Sequence, residues 1–235
     1  MRHWNVGYVG AIAVSSLATA LSAQPADLFK DIETTLGSGP GELTIIGSTV
    51  FFTADDGTHG RELWRSDGTA AGTSLVRDIA PGSPSANPWL LTNVDGVLFF
   101  AADDGANGVE LWKSDGTAGG TVIVKDLQPG PLGSSPQDLT LMNGALFFGA
   151  YLNPHGRVLW KSDGTTAGTA PVTYADVVSN PLGLTNAGGM LFFLGFQAST
   201  GWELWRSDGT ATGTRLVKDI NPGSSSYGYP LSSNP

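Results

Sequence analysis

Val97-Leu98-Phe99-Phe100-Ala101-Ala102-Asp103-Asp104-Gly105 runs on into Val109-Glu110-Leu111-Trp112-Lys113-Ser114-Asp115-Gly116-Thr117, and Thr121-Val122-Ile123-Val124-Lys125-Asp126 follows. Aromatic and β-branched residues fill these runs, and Gly, Asn and Asp break them, so they read as strands over 97–102, 109–113 and 121–126. Trp89 to Thr92 upstream supplies a fourth strand. Asp115-Gly116 suits a turn that needs positive φ, and the Asp115 and Thr117 side chains can bond nearby backbone amides. Pro129-Gly130 suits a type II turn after the fourth strand.

The same pattern recurs outward in both directions. Glu62 to Thr69, Val158 to Thr165 and Glu203 to Thr210 repeat the eight residues from Glu110 to Thr117. Trp64, Trp112, Trp160 and Trp205 are spaced by 48, 48 and 45 residues, and Phe51-Phe52, Phe99-Phe100, Phe147-Phe148 and Phe192-Phe193 keep the same steps. No insertion separates a Phe pair from its Trp. The three-residue deletion therefore falls between Trp160 and Phe192, where a loop absorbs it. The units lie near 33–79, 80–127, 128–176 and 177–220, and 221–235 forms a tail or opens another unit.

Four short strands per unit, at a period in the forties, predict an all-β fold: a β-propeller of about four four-stranded blades. Each sheet can cover both its faces only against neighbouring copies. A β-solenoid is the competing architecture, but its coils are usually shorter. The repeated Trp and Phe residues are assigned to the layers between blades, because burial explains why every unit carries them.

Glu62 to Thr73 reads E-L-W-x-S-D-G-T-x-x-G-T, and Glu203 to Thr214 repeats it intact. The second copy has Gly119-Gly120 before Thr121, and the third has Val158 in place of the leading Glu. In these motifs the chain resembles the ELWxxDGT-repeat (hyalin-like) family of exported bacterial repeat proteins. The resemblance covers nearly all of the chain beyond the leader, and it implies an exported repeat array without implying a particular activity. The S-D-G-T element also resembles the Asp box of sialidase-like propellers, S-x-D-x-G-x-T-W, but its spacing differs and its tryptophan comes first. A sialidase needs a cluster of non-repeating arginines. Here eight of the eleven basic residues beyond the leader sit at recurring positions, Arg65, Lys113, Lys161 and Arg206 among them.

Met1 to Ala23 carries Arg2, then an uncharged apolar run from Val6 to Leu21 that ends among small residues, and it reads as a signal peptide. Ala18-Thr19-Ala20 and Ala23 before Gln24 are the candidate cleavage sites. A membrane anchor is the other reading, but the run is shorter than the ~20 residues a bilayer requires. Past the leader, Leu28-Phe29-Lys30-Asp31-Ile32 matches Leu216-Val217-Lys218-Asp219-Ile220, so an extra outer strand opens the array. Leu231 to Pro235 stands where another first strand begins. This combination fits a piece of a five-bladed or larger ring, an incomplete reading frame, or a four-bladed ring with a loose first strand.

Beyond the leader the chain has 21 acidic and 11 basic residues, a net charge of −10, which makes nucleic acid and anionic lipid poor partners. With no cysteine, disulfides, thiol catalysis and thiolate metal sites are excluded. The 33 glycines and 14 prolines, against 14% charged residues, fit many short strands joined by tight turns.

In a propeller, the connection between the second and third strands shares a rim with the connection from the fourth strand to the next unit. That rim collects Asp55, Asp56, Glu62 and Asp78 from the first unit and Asp103, Asp104, Glu110 and Asp126 from the second. Clustered oxygen ligands are what calcium requires, so these eight residues form a candidate cation site. In the third unit Tyr151, Leu152 and Val158 replace them. The alternative is that Asp-Asp-Gly makes hairpin turns and that Glu pairs across strands with Arg or Lys. Trp89, Tyr151, Trp202, Tyr227 and Tyr229 break the repeat near the same rim, where a flat ring can stack on a sugar or a partner side chain; loop packing is their other use. His59 and His155 occupy equivalent hairpin tips, too far apart to share a metal. No H-x-x-x-H, H-E-x-x-H or G-x-S-x-G pattern occurs.

These features predict an exported, non-enzymatic module that binds or scaffolds a protein or glycan at one rim. Two alternatives stand beside it: a polysaccharide-acting hydrolase or lyase on a propeller scaffold, which rests on fold analogy, and a purely structural spacer array.

Overall fold

Alternation decides each sheet, because successive side chains of a strand point to opposite faces and an apolar run on both faces needs cover on both. The computed structural model describes residues 30–35, 37–174, 176–224 and 230–233. The leader, Leu28, Phe29, Tyr227 and Tyr229 lie outside them.

The first unit forms β1 (Gly41–Ile46), β2 (Thr49–Asp55), β3 (Arg61–Ser66) and β4 (Ser74–Arg77), and the second β5 (Trp89–Val94), β6 (Val97–Asp103), β7 (Val109–Ser114) and β8 (Val122–Lys125). The third forms β9 (Gln137–Met142), β10 (Ala145–Leu152), β11 (Gly156–Ser162) and β12 (Ala170–Pro171). The fourth forms β13 (Ser179–Ala187), β14 (Met190–Gln197), β15 (Gly201–Ser207) and β16 (Arg215–Leu216). Each unit is one four-stranded antiparallel sheet in chain order, and the described residues contain no helix. These sheets are the blades of a β-propeller. The fourth strands are shorter than the sequence suggests. Thr121 is drawn into the preceding turn by its hydroxyl bond to the Thr117 carbonyl, and Pro171 has no N–H with which to extend β12.

Register places Phe52 opposite Trp64, Phe100 opposite Trp112, Phe148 opposite Trp160 and Phe193 opposite Trp205. Every internal layer is built in the same way. One sheet contributes the first Phe of its pair, the Leu of Leu-Trp and a Val from its fourth strand. The next sheet contributes a Leu, the second Phe and the Trp. Between the first and second units the set is Phe51, Leu63 and Val76 against Leu98, Phe100 and Trp112. Between the second and third it is Phe99, Leu111 and Val124 against Leu146, Phe148 and Trp160. Between the third and fourth, Phe147, Leu159 and Val172 meet Leu191, Phe193 and Trp205. Trp112, Trp160 and Trp205 lie in these layers as assigned; Trp64 is buried too, but with Phe52 and Ile32 on the other face of the first sheet, and Phe192 is only half-buried because no described sheet packs on it. Phe100 stacks on Trp112 with ring centroids 6.4 Å apart, and Trp112 Nε1 donates to the Ala102 carbonyl at 3.2 Å.

The Ser-Asp-Gly-Thr turn has identical chemistry in all four units. Asp115 Oδ1 accepts from the Thr117 amide at 2.8 Å and from its hydroxyl at 2.7 Å, and Thr117 Oγ1 accepts from the Gly120 amide at 3.0 Å. Ser114 and Thr121 hydroxyls close the loop at 2.7 Å. Gly116 has φ +87°, and a Cβ there would stand 3.1 Å from Phe51 Cζ of the preceding blade. Glycine is thus required twice over, by the turn and by the neighbouring ring. The turn also carries a bond between blades: Arg65 Nη1 donates to the Gly116 carbonyl, and Lys113 Nζ to the Gly164 carbonyl, each at 2.8 Å.

Trp112→Ala removes a ring from a closed layer and leaves a cavity that flanking blades cannot fill. The expected loss is about 3–5 kcal/mol, read by thermal or denaturant melts; an unchanged melting temperature would contradict burial of the ring.

Candidate functional site

The rim predicted from strand order is formed. The second-to-third strand hairpin of each unit lies against the connection leading to the next unit: the Arg61 amide donates to Ser85 Oγ at 2.9 Å, and the Ser135 amide to the Val109 carbonyl at 3.0 Å. A Cβ on Gly60 would meet the Pro84 carbonyl oxygen at 2.5 Å, so glycine lets the two segments touch.

The carboxylates on this rim divide into two kinds. Those of the hairpins turn inward on their own backbone. Asp55 Oδ1 accepts from the Gly57 amide and Asp103 Oδ1 from the Gly105 amide, each at 2.8 Å. Asp56 accepts from the Thr58 and His59 amides and pairs with His59 Nδ1 at 2.8 Å. Asp104 accepts from the Ala106 and Asn107 amides and from Asn107 Nδ2. Although partial burial opposes ionisation, the amide donors hold Asp56 and Asp104 below the usual carboxylate range; the Asp56 hydrogen bond draws His59 upward. The hairpin reading of Asp-Asp-Gly describes these residues.

The repeated glutamates behave differently. Glu62 and Glu110 are fully buried, and neither pairs with Arg or Lys as the alternative reading expects. Glu62 accepts from the amides of Ile79, Ala80 and Ala86 at 3.0, 3.1 and 3.2 Å. Glu110 accepts from the Gln128 and Ser134 amides and, at 2.6 Å, from the Ser134 hydroxyl. Glu203 reaches the Ile220 and Ser233 amides. Each Glu thus satisfies the backbone of the connection to the following unit, which crosses the rim without strand partners of its own. Burial pushes Glu62 up to about 7 and raises Glu110, against the pull of their hydrogen-bond donors. Asp78 accepts from the Gly82 amide at 3.1 Å, and Asp126 is exposed. Among the described residues no group of three or more His, Asp or Glu side chains is arranged to hold a metal ion.

Of the five aromatics singled out in the sequence, the three described, Trp89, Tyr151 and Trp202, are not gathered into one platform. Trp89 opens β5 and is half-buried. Trp202, also half-buried, packs on Phe196 with centroids 5.9 Å apart. Of these three, Tyr151 is exposed, at 44%. Its cross-strand partner Arg157 lies with the guanidinium carbon 4.6 Å from the ring centroid, and Arg157 is itself held by the Ser135 carbonyl at 2.9 Å. Tyr151 lines an open recess with Gln128, Leu132, Gly133 and Ser135. Leu132 is 81% exposed, and Gln128 Oε1 is buried without a hydrogen-bond partner. Sequence reading missed Gln128, Leu132 and Arg157. Leu132 signals itself by being a large apolar residue in a Pro-Gly connection, whereas the Tyr151–Arg157 pair becomes visible only once the register is known.

No family model and no curated protein matches the chain. Among solved structures it is similar to puromycin hydrolase, at 18% identity with a TM-score of 0.50 over 76% of this chain and 28% of that one. It is also similar to a putative TolB from Agrobacterium tumefaciens, at 11% identity and a TM-score of 0.46 over 79% of this chain and 64% of that one. A third is an exo-β-1,3-galactanase from Clostridium thermocellum, at 14% identity and a TM-score of 0.40 over 75% and 47% of the two chains. The chain thus spans little more than a quarter of the puromycin hydrolase length. At such identity the likeness to puromycin hydrolase shows the fold alone.

The raised Glu62 carboxyl sets a sign for pH dependence. Because the folded state holds this proton more tightly than the unfolded chain, stability from this group is full below pH 4.5 and declines as pH rises to about 7. The decline is up to about 3 kcal/mol, and Glu62→Gln should flatten it. Denaturant melts at several pH values between 4.5 and 7.5 read the slope; equal slopes in wild type and variant would contradict the assignment.

Proposed function

We propose that the chain is an exported, non-enzymatic binding module that engages a protein or glycan through the rim where the second and third units meet. The observation that supports it is the Tyr151 recess. An exposed ring is held in place by a buried arginine, beside an exposed leucine and a buried side-chain carbonyl with no donor. Arg157 is 7% exposed, so the ring loses little freedom when a ligand settles on it, which favours affinity.

The chemistry of the recess selects its ligand. The aromatic face suits the C–H face of a sugar ring or an apolar side chain. A net charge of −10 beyond the leader disfavours anionic ligands. An uncharged glycan or a peptide with an apolar anchor fits these constraints. Export follows from reading Met1 to Ala23 as a signal peptide. The hydrolase alternative rests on likeness of scaffold alone.

Screening the chain from Gln24 against neutral glycan and peptide arrays, followed by titration of the best ligand, tests the reading. Tyr151→Ala should weaken binding tenfold or more, about 1.4 kcal/mol, while Tyr151→Phe retains it and neither changes the melting temperature appreciably. Undiminished binding by Tyr151→Ala, or no ligand from either array, would overturn it.

A further inference from the structure

The rim changes its chemistry in the third unit. In the first two units a carboxylate holds the hairpin tip: Asp56 takes His59 Nδ1 and Asp104 takes Asn107 Nδ2, each at 2.8 Å. In the third unit Leu152 stands in that place, and the imidazole of His155, equivalent to His59, packs edge-on against the Tyr174 ring with centroids 5.3 Å apart. Tyr174 itself replaces an acid. It follows Val172 by two residues, as Asp78 follows Val76 and Asp126 follows Val124, and these three valines hold the same place in successive layers. Tyr151 likewise stands where the first two units carry Asp55 and Asp103. Among the described residues the exposed Phe, Trp and Tyr side chains are these two, Tyr151 at 44% and Tyr174 at 49%.

The two rings flank one hairpin. Tyr151 leads into it beside the connection from the second unit, where the ring lies on Arg157 and next to the exposed Leu132. Tyr174 belongs to the connection that leaves the third unit, and it meets the hairpin at His155. Asn153, Pro154 and His155 are exposed between them. Four residues separate Tyr151 from His155, at most ~14 Å of chain, so the rings form two platforms along one strip. Charge is missing from this strip although the chain is acidic. Residues 127–137 and 139–156 contain no Asp, Glu, Lys or Arg, and Arg157 is buried against Tyr151. Asp176 is the charge nearest Tyr174 in the sequence.

Building on the Tyr151 recess as a binding site, we infer that this strip takes a neutral oligosaccharide, with one sugar on Tyr151 and a later sugar of the same chain on Tyr174. Each sugar ring offers a C–H face to a tyrosine, and the hydroxyls between reach the Asn153 amide and the His155 imidazole. Anions are repelled by the net charge of −10 beyond the leader, and a cation finds no carboxylate between residues 139 and 156. A peptide docked by apolar anchors is better served by a closed pocket than by two separated faces that each carry a hydroxyl. Because both platforms bind one ligand, the second contact is intramolecular, and affinity rises with chain length until both rings are reached.

Neutral oligosaccharides of glucan, mannan, galactan and xylan, each as a series from disaccharide to octasaccharide, are titrated into the chain from Gln24 by calorimetry. Affinity should climb at the length that first reaches both rings and then level off. Tyr174→Ala should cost the octasaccharide about tenfold and leave the disaccharide unchanged, whereas Tyr151→Ala weakens both and Tyr174→Phe retains the gain. Melting temperatures should stay at the wild-type value, since both rings are exposed. Affinity that does not depend on length, or that Tyr174→Ala lowers at no length or equally at every length, would overturn the second platform and leave the Tyr151 reading standing. Capture of peptides with an apolar anchor, and of no oligosaccharide, would overturn the ligand class while sparing the recess. Binding of neither kind would overturn both.

Discussion

A four-stranded sheet that is apolar on both faces cannot bury itself, and everything in this chain follows from that constraint. Phe99 and Leu111 point one way from the second sheet and Phe100 and Trp112 the other, so each sheet is half of two layers. The layers are where the large side chains go. The turns serve the layers as well, since Gly116, Gly164 and Gly209 receive the preceding blade's Phe ring and the carbonyls of Gly116 and Gly164 take that blade's Arg65 or Lys113.

Stacking sheets in this way leaves a second problem, the connections that cross the rim between them. Those segments have amides without strand partners, and a buried glutamate on the third strand answers for them. Glu62 takes three amides, and Glu110 takes two amides and a hydroxyl. The third unit confirms the logic by exception. Val158 stands in place of Glu, and the connection that follows is the one shortened by three residues. In it Val172 returns to the Leu159 carbonyl and Val177 to the Tyr174 carbonyl, so the backbone satisfies itself. The carboxylate and the length of the connection change together because one exists for the other.

Strand order, the Phe–Trp layers and the Asp-Gly turns were legible in the sequence because they depend on neighbours within a few residues or on a fixed period. The role of Glu62 was not legible, because its partners lie 17 to 24 residues downstream in a segment with no periodic signal. A glutamate beside Arg61 and Arg65 looks like half of an ion pair until burial is known. The Tyr151 recess was legible only in part. Tyr151 broke the repeat and drew notice, but Arg157 became its support through hairpin register, and Gln128 and Leu132 came from the preceding unit's connection.

If neighbouring sheets, and not local sequence, set the stability of each unit, then units of nearly identical motif should differ according to how well they are covered. Native-state hydrogen exchange compares equivalent amides of β3, β7, β11 and β15. Covered on both sides, β7 and β11 should exchange most slowly, with β3 and β15 measurably faster. Equal protection across all four, or slowest exchange at the ends, would contradict the account.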